Sequence, residues 1–594
     1  MTIEAMTIAD LLAGYRAGRF TPAQVFNAVL ERIDAAPDRN VWISRLSREQ
    51  VFEYVAAIQS RTPDELPLYG VPFAIKDNID LAHVPTTAGC PAYSYVPTQS
   101  AAVVQKLIDA GAIPVGKTNL DQFATGLVGT RSPYGACRNS FDANYISGGS
   151  SSGSAVAVAT GLVGFSLGTD TAGSGRIPAG FNNIVGLKPS CGMLSTRGVV
   201  PACRSLDCVS IFTLTAQDGE RVLQVARGFD PLDAYSREFG PAHTGGGTPT
   251  IGVPRRDQLQ FFGDDEYARL FDAAAEQARA SGAKLVEVDF EPLFEVARLL
   301  YEGPWVAERY AGIADFIATH ADEMHPVTRS IISGGAHPTA VDAFRAQYRL
   351  KDLQRKAEAL WQGVDMLMVP TAGTIYTIAQ LLADPVQLNS NLGCYTNFVN
   401  LLDLAAVAVP AGFRTDGLPF GVTFVGRAAS EPALLKIAAT LHAATSSTLG
   451  ALPMSVSATA TAAPQLLDGY IPVAVCGAHM SGLLLNHQLL DRDGYLLKTT
   501  RTSAHYEFYA LPGGPPRRPG LVRVNEGGGA IDVEVWAVPQ QHFGSFVAGI
   551  PSPLGIGKVE LEDGTLCCGF LCEAWAVAGA QRITEFGSWR KFVP

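Results

Sequence analysis

Residues Gly148–Gly180 read GGSSSGSAVAVATGLVGFSLGTDTAGSGRIPAG. Two Gly/Ser-rich loops flank a small-residue stretch with helical character and a short apolar strand. Glycine permits strained backbone and close approach to a ligand, and consecutive N–H groups in such loops form nests for anions. A serine here becomes a nucleophile only beside a base. Histidine is the usual base, yet none occurs between His83 and His243. Composition alone leaves a flexible Gly/Ser loop as the alternative.

A lysine can serve as base when burial disfavours its ammonium form. Lys76 follows the apolar run Val71-Pro-Phe-Ala-Ile75, which predicts a strand carrying it into the interior. The competing reading is a surface lysine capping that strand. Asp170 and Arg176 flank the second loop and are read as braces for it. Gly111–Thr118, GAIPVGKT, fits GxxxxGK[ST], the pattern of a phosphate-cradling loop. Its Ala-Ile-Pro-Val interior is strand-like and includes a proline with no N–H to offer, so nucleotide binding is rejected.

Around these segments, short apolar runs (VPFAI, AIPVG, VGFSLG, DMLMVP, AAVAVP) alternate with helical stretches such as Ala101 to Ala110 and Asp264 to Ala280. The alternation predicts an α/β layer fold with a largely buried sheet. Phe26, Val29, Leu30 and Ile33 make one helical stripe. GPAHTGGGTPT (240–250) reads as a surface loop between two halves of the domain. ATSSTLGALPMSVSATATAA, from Ala444 to Ala463, is uncharged and aperiodic and reads as a linker. The expected organisation is a domain over 1–443, a linker over 444–466 and a smaller α+β domain over 467–594, with strands in YIPVAVCG, IDVEVWAV and FLCEAWAV.

The chain has 594 residues, 47% apolar and only 17% charged, against a usual charged share of about 25%. That balance excludes a disordered chain. With 45 basic and 56 acidic residues the net charge is −11, which argues against a nucleic-acid surface. No apolar run is long enough to span a membrane, and no signal peptide is evident. Ten dilute cysteines without a CxxC pair give no metal or redox motif. The expectation is a soluble cytoplasmic protein.

GVPFAIKDNID, GKTNLDQFATG, RNSFD, GGSSSGS and GTDTAGSGRIPAG, followed by VGLKPS and SLD, resemble the amidase signature family in order and spacing over about residues 5–445. The resemblance implies an α/β fold with a central mixed β-sheet covered by helices and a Ser–cis-Ser–Lys triad. By motif, Lys76 is the base, Ser150 the relaying cis-serine and Ser174 the nucleophile. The oxyanion hole maps onto the backbone amides of Thr171, Ala172, Gly173 and Ser174. No metal or organic cofactor is implied.

Within LYEGPWVAERYAGI (300–313), Tyr301 and Arg309 lie eight residues apart, about two helical turns and so near one face. An Arg fork suits a carboxylate; an ion pair with Glu302 or Glu308 is the plainer alternative. This stretch, SLDCVSIF (205–212) and the C-terminal unit (VCGAHMSGLLLNHQL, YALPGGPPRRPGLVR, ITEFGSWRKF) resemble the allophanate hydrolases. In that family the matching Tyr and Arg hold the substrate carboxylate. The resemblance implies hydrolysis of the terminal amide of allophanate to ammonia and N-carboxycarbamate, within urea or s-triazine nitrogen catabolism. No biotin-attachment segment or ATP site is evident, so a separate urea carboxylase is the expected partner enzyme, and a homodimer the expected assembly. The C-terminal unit is similar to the γ-glutamyl cyclotransferase-like fold, but no acid lies between Glu534 and Glu560, which speaks against cyclotransferase activity. Decarboxylation of the product or assembly of the dimer is implied instead, with His479, Asn486, His487 and Glu573 as candidate polar lining. The alternatives are another small-molecule amidase, of malonamate type, or a glutamyl-tRNA amidotransferase subunit.

Overall fold

The computed structural model describes residues 7–239, 248–445, 448–454, 466, 469–492 and 494–593. Residues 7–454 of this set form one compact unit and 466–593 another, each with its own apolar core.

Among the described residues the first unit carries an eleven-stranded mixed sheet. Its order is Trp42–Arg45, Ile113–Thr118, Pro72–Lys76, Phe165–Asp170, Cys208–Thr213, Val185–Lys188, Ala405–Phe413, Pro419–Gly426, Met366–Pro370, Thr250–Pro254 and Lys284–Val288. Pro72–Lys76 runs parallel to both Ile113–Thr118 and Phe165–Asp170, and parallel neighbours need crossover connections. The helices Ala102–Asp109 and Ser152–Ala159 lie in those connections. The strands of this central part are buried at every position, as their continuous apolar runs require. GAIPVGKT is thus the strand Ile113–Thr118, with the Lys117 ammonium donating to Thr86 Oγ1 at 3.0 Å rather than facing a phosphate loop.

The helix Pro22–Ala35 starts with a reciprocal Thr21–Gln24 capping box and a proline in its first turn, a strong start signal. Its buried stripe is Val25, Phe26, Val29 and Ile33, with Leu30 at the edge. The helix Ser152–Ala159 is buried along its whole length. A Cβ on Gly153 would stand 2.2 Å from the Val41 carbonyl oxygen, so only small residues bring this helix against the sheet.

Part of the expected linker is packed structure. Ala444 and Thr445 finish the helix Glu431–Thr445. Beyond it Leu449 is only 4% exposed, Gly450 N–H donates to the Asn183 carbonyl at 3.0 Å, and Ala451 N–H to the Ala159 carbonyl at 2.8 Å. A short uncharged segment with no periodicity can still dock through its backbone, and periodicity does not register that. Residues 455–465 of the expected linker, and 240–247 of the Gly-rich loop, lie outside the described residues.

The second unit has sheets ordered Tyr495–Arg501, Asp532–Pro539, Tyr470–Val475, Leu566–Cys572, Leu554–Glu560 and Arg518–Arg523, Tyr506–Leu511, Gln581–Arg582, with the helix Gln540–Ala548. FLCEAWAV is strand only through Cys572 and then turns into the short helix Ala574–Val577. Leu449→Ala should lower the stability of the first unit by about 2–5 kcal/mol, read as a lowered urea midpoint; an unchanged midpoint would show that residues 448–454 contribute no core.

Candidate active site

Lys76 closes its strand with no exposed surface. Its Nζ lies 2.8 Å from Ser150 Oγ and 2.7 Å from Thr169 Oγ1, and Ser150 Oγ lies 2.9 Å from Ser174 Oγ. A continuous chain of polar atoms therefore runs from amine to hydroxyl to hydroxyl, with the Gly149–Ser150 peptide in the cis form. Burial pushes the Lys76 ammonium down to about 7, against the opposing pull of Asp121, Asp207 and Asp170, and Arg309 adds to the lowering. Near neutral pH the amine is thus available to take a proton.

The loop holding Ser174 is braced from below. Arg176 donates to both Asp170 carboxylate oxygens, Nε to Oδ2 and Nη2 to Oδ1, each at 2.9 Å. Both side chains are fully buried. Burial works against the Asp170 charge, and the guanidinium outweighs it, holding the carboxyl below its ordinary range. Asn400 Nδ2 donates to the Asp170 carbonyl at 2.8 Å, and Thr396 Oγ1 to the Ala172 carbonyl at 2.6 Å. The bracing role read for Asp170 and Arg176 is the arrangement found.

One expected oxyanion donor is otherwise engaged. The Gly173 N–H donates to Asp170 Oδ1 at 2.9 Å, with Gly175 N–H on Oδ2 at 3.0 Å. Thr171, Ala172 and Ser174 have amides that donate to no group among the described residues. The cause is local: the Asp170 carboxylate at the start of the loop accepts from the Gly173 and Gly175 amides. Gly173 itself has φ +132°, and a Cβ there would lie 2.4 Å from Thr396 Oγ1, so the residue is needed for close packing. Thr171 Oγ1 donates to Asp207 Oδ1 at 2.5 Å, and Asp207 also accepts from the Ala202 and Cys203 amides. Burial pushes the Asp207 carboxyl up to about 6, against these bonds and Arg309.

Tyr301 and Arg309 come together by a route different from the expected one. They do not share a helix: Glu291–Glu302 ends at Gly303, and Trp305–His320 begins after Pro304, because proline lacks the N–H that would continue the first helix. Arg309 Cζ still stands 5.6 Å over the Tyr301 ring. Arg309 is 3% exposed. Its Nη1 donates to Thr125 Oγ1 at 3.2 Å and weakly to the Ala124 carbonyl at 3.4 Å, while Nε and Nη2 find no partner among the described residues. Glu308 is not its ion-pair partner, since its carboxylate accepts from the Ser205 amide and hydroxyl, each at 2.7 Å. A buried guanidinium with two open donors is suited to receive an anion.

In the second unit, His479 Nε2 lies 3.0 Å from Gln488 Oε1, its ring stacks on Phe570, and its carbonyl accepts from Asn486 Nδ2 at 2.9 Å. His487 is exposed and contacts the Leu484 carbonyl, and Glu573 is exposed with the Trp575 indole donating to it. His479 and Asn486 thus form a pair, but no hydrogen bond among the described residues joins His487 or Glu573 to it. Motif reading passed over a different acid here. Glu534 is buried and accepts from the Ser481 amide and hydroxyl, Trp536 Nε1 and Arg590 Nη2. Motif reading also passed over Thr169, Asp207, Thr396 and Asn400 in the first unit. Among the described residues no group of three or more His, Cys, Asp or Glu is placed to hold a metal ion, and no helix is long and apolar enough to cross a membrane.

A family model described as amidase matches residues 24–435, and the chain belongs to the amidase family. A second model, described as the allophanate hydrolase C-terminal domain, matches residues 471–594. The chain is 43% identical over 622 residues to the urea amidolyase of Saccharomyces cerevisiae, covering 100% of this chain and 34% of that protein; it spans about a third of the length of the curated urea amidolyases it matches. The structure of Kluyveromyces lactis allophanate hydrolase superposes with a TM-score of 0.86 at 44% identity, covering 99% of this chain and 98% of that one. Over 63% of the chain it is also 35% identical to a glutamyl-tRNA(Gln) amidotransferase component from Prochlorococcus marinus, covering 82% of that protein.

Asp170→Asn, which leaves the Arg176 guanidinium buried without its counter-charge, should cost about 3–5 kcal/mol of stability. Chemical denaturation measures it, and a loss under about 1 kcal/mol, within the range of an exposed pair, would show the pair is not a brace.

Proposed function

We propose that this protein is an allophanate hydrolase working through Lys76, Ser150 and Ser174. The observation that carries the reading is the buried Arg309 fork, with Nε and Nη2 open, in the same unit as a polar chain that ends on Ser174. Allophanate is a small terminal amide with a carboxylate on its far nitrogen, and it satisfies both features at once.

Neutral Lys76 takes the Ser150 hydroxyl proton as Ser150 takes that of Ser174, and Ser174 Oγ attacks the terminal carbamoyl carbon. The carbonyl becomes an oxyanion held by the amides of Thr171, Ala172 and Ser174. Such donors are worth roughly 3–4 kcal/mol each when aimed at the developing charge. The proton returns from Lys76 through Ser150 to the leaving nitrogen, and ammonia departs. Water, deprotonated through the same relay, attacks the acyl group and releases N-carboxycarbamate, which loses carbon dioxide. Arg309 binds the substrate carboxylate and Tyr301 supports it from beneath. A urea carboxylase supplies the substrate. The C-terminal unit either speeds the decarboxylation or joins two chains. Removing residues 467–594 distinguishes these: accumulated N-carboxycarbamate marks the first, and unchanged turnover by a monomer the second.

Ser174→Ala should abolish ammonia release from allophanate; retained turnover overturns the assignment. Arg309→Gln should raise KM for allophanate by about 10–100-fold, the range of one bond to a charged group, while sparing uncharged amides in a panel of allophanate, biuret, malonamate and glutamine. An equal loss on all four removes the carboxylate clamp. Because the reacting amine must be unprotonated, kcat/KM should fall about tenfold per pH unit below about 7; a flat profile between about pH 5 and 7 argues against Lys76 as the base.

A further inference from the structure

Two cysteines near the nucleophile loop have no part in the chemistry above. Cys191 follows the strand Val185–Lys188 and Cys208 opens the strand Cys208–Thr213, and these strands pair antiparallel through Val185–Thr213 and Leu187–Ile211. The pairing brings the two sulfurs to 3.5 Å, with the Cys208 thiol directed at Cys191 Sγ. Cys208 is a buried residue and Cys191 a partly exposed one. Cys567 and Cys568 offer no such geometry, because neighbours in one strand point to opposite faces.

We propose that Cys191 and Cys208 are an oxidative modification site, a dithiol that a hydroperoxide converts to a disulfide with a loss of turnover at Ser174. Cys191 Sγ attacks one oxygen of the hydroperoxide, the O–O bond breaks, and the leaving oxygen takes the Cys191 proton and departs as water or an alcohol. Cys191 is then a sulfenic acid. Cys208 Sγ attacks that sulfur, the S–O bond breaks, and hydroxide leaves with the Cys208 proton as water. Two thiols are oxidised and one peroxide is reduced.

The surroundings favour this order. The bond from Cys208 draws the Cys191 thiol down to about 7 against its burial. The Lys188 ammonium helps, and Asp403 and Arg237 act in opposite senses. Cys208 moves well above its ordinary range, first through that same bond. Cys191 is therefore the attacking thiolate and Cys208 the resolving thiol. By contrast, burial pushes the Cys137, Cys203, Cys394 and Cys476 thiols up to about 12.

The link to the nucleophile loop is short. Both thiols face the Leu206 carbonyl, at 3.7 and 3.8 Å, and that carbonyl also accepts from Asn400 Nδ2 at 3.0 Å. Asn400 in turn holds the Asp170 carbonyl, Cys208 pairs in register with Asp170, and Asp207 anchors Thr171. A disulfide sets its sulfurs about 2.05 Å apart. Closing the gap shifts both sulfurs relative to the Leu206 carbonyl and draws on the residues that shape the loop.

The test treats the intact protein with hydrogen peroxide, blocks remaining thiols with iodoacetamide and maps peptides by mass. The expected result is a cross-link between Cys191 and Cys208 and a loss of ammonia release, both reversed by dithiothreitol. Cys191→Ser should keep its basal turnover and resist the treatment. Cys191 recovered as free thiol or as sulfinic acid, with no cross-link, overturns the site. A cross-link that leaves turnover unchanged overturns its coupling to Ser174, as does an equal loss in Cys191→Ser.

Discussion

An ammonium group with no water around it loses the solvation that keeps its proton, and the first unit is arranged around that loss at Lys76. Two parallel neighbours enclose its strand, and the helix Ser152–Ala159, made of small residues, lies close enough to exclude solvent. Burial alone would lower its basicity further. The carboxylates of Asp121, Asp207 and Asp170 restore part of its basicity through their charge. The result is an amine that titrates near neutrality and is held by two hydroxyls.

The second feature is a backbone that leaves three amides of the Ser174 loop without partners among the described residues. Asp170 and Arg176 supply it by neutralising each other inside the fold, and the bidentate geometry fixes the start of the loop in orientation as well as position. Asp170 takes Gly173 and Gly175, which leaves Thr171, Ala172 and Ser174 unengaged among the described residues. The same residue therefore braces the loop and selects which amides remain open. Arg309 shows the complementary economy: its partners occupy one nitrogen, and the rest of the fork stays open.

Much of this was legible in the residues. Buried strands announce themselves as apolar runs, an amphipathic helix as the stripe Phe26, Val29, Leu30 and Ile33, and Lys76, Ser150 and Ser174 sit in separate motifs whose order is informative. The rest was hidden for definite reasons. Gly173 looks like any other loop amide until the neighbouring carboxylate is placed in space. Gly303–Pro304 breaks a helix that spacing alone would carry through Arg309. Residues 448–454 have no period because backbone bonds and single apolar contacts such as that of Leu449, not a side-chain stripe, hold them. Thr396 and Asn400 meet the loop across more than two hundred residues, and no local pattern encodes such a partner.

That last distance bears on synthesis. A ribosome delivers Ser174 long before it delivers Thr396 and Asn400, and Arg176 Nη1 waits for the same late segment through its bond to the Thr396 carbonyl. Contacts of such separation form late, after the loop-closure entropy has been met. The nascent chain therefore carries Ser174 in an unsupported loop until translation has passed residue 400. The geometry around Ser174 is a property of the finished unit.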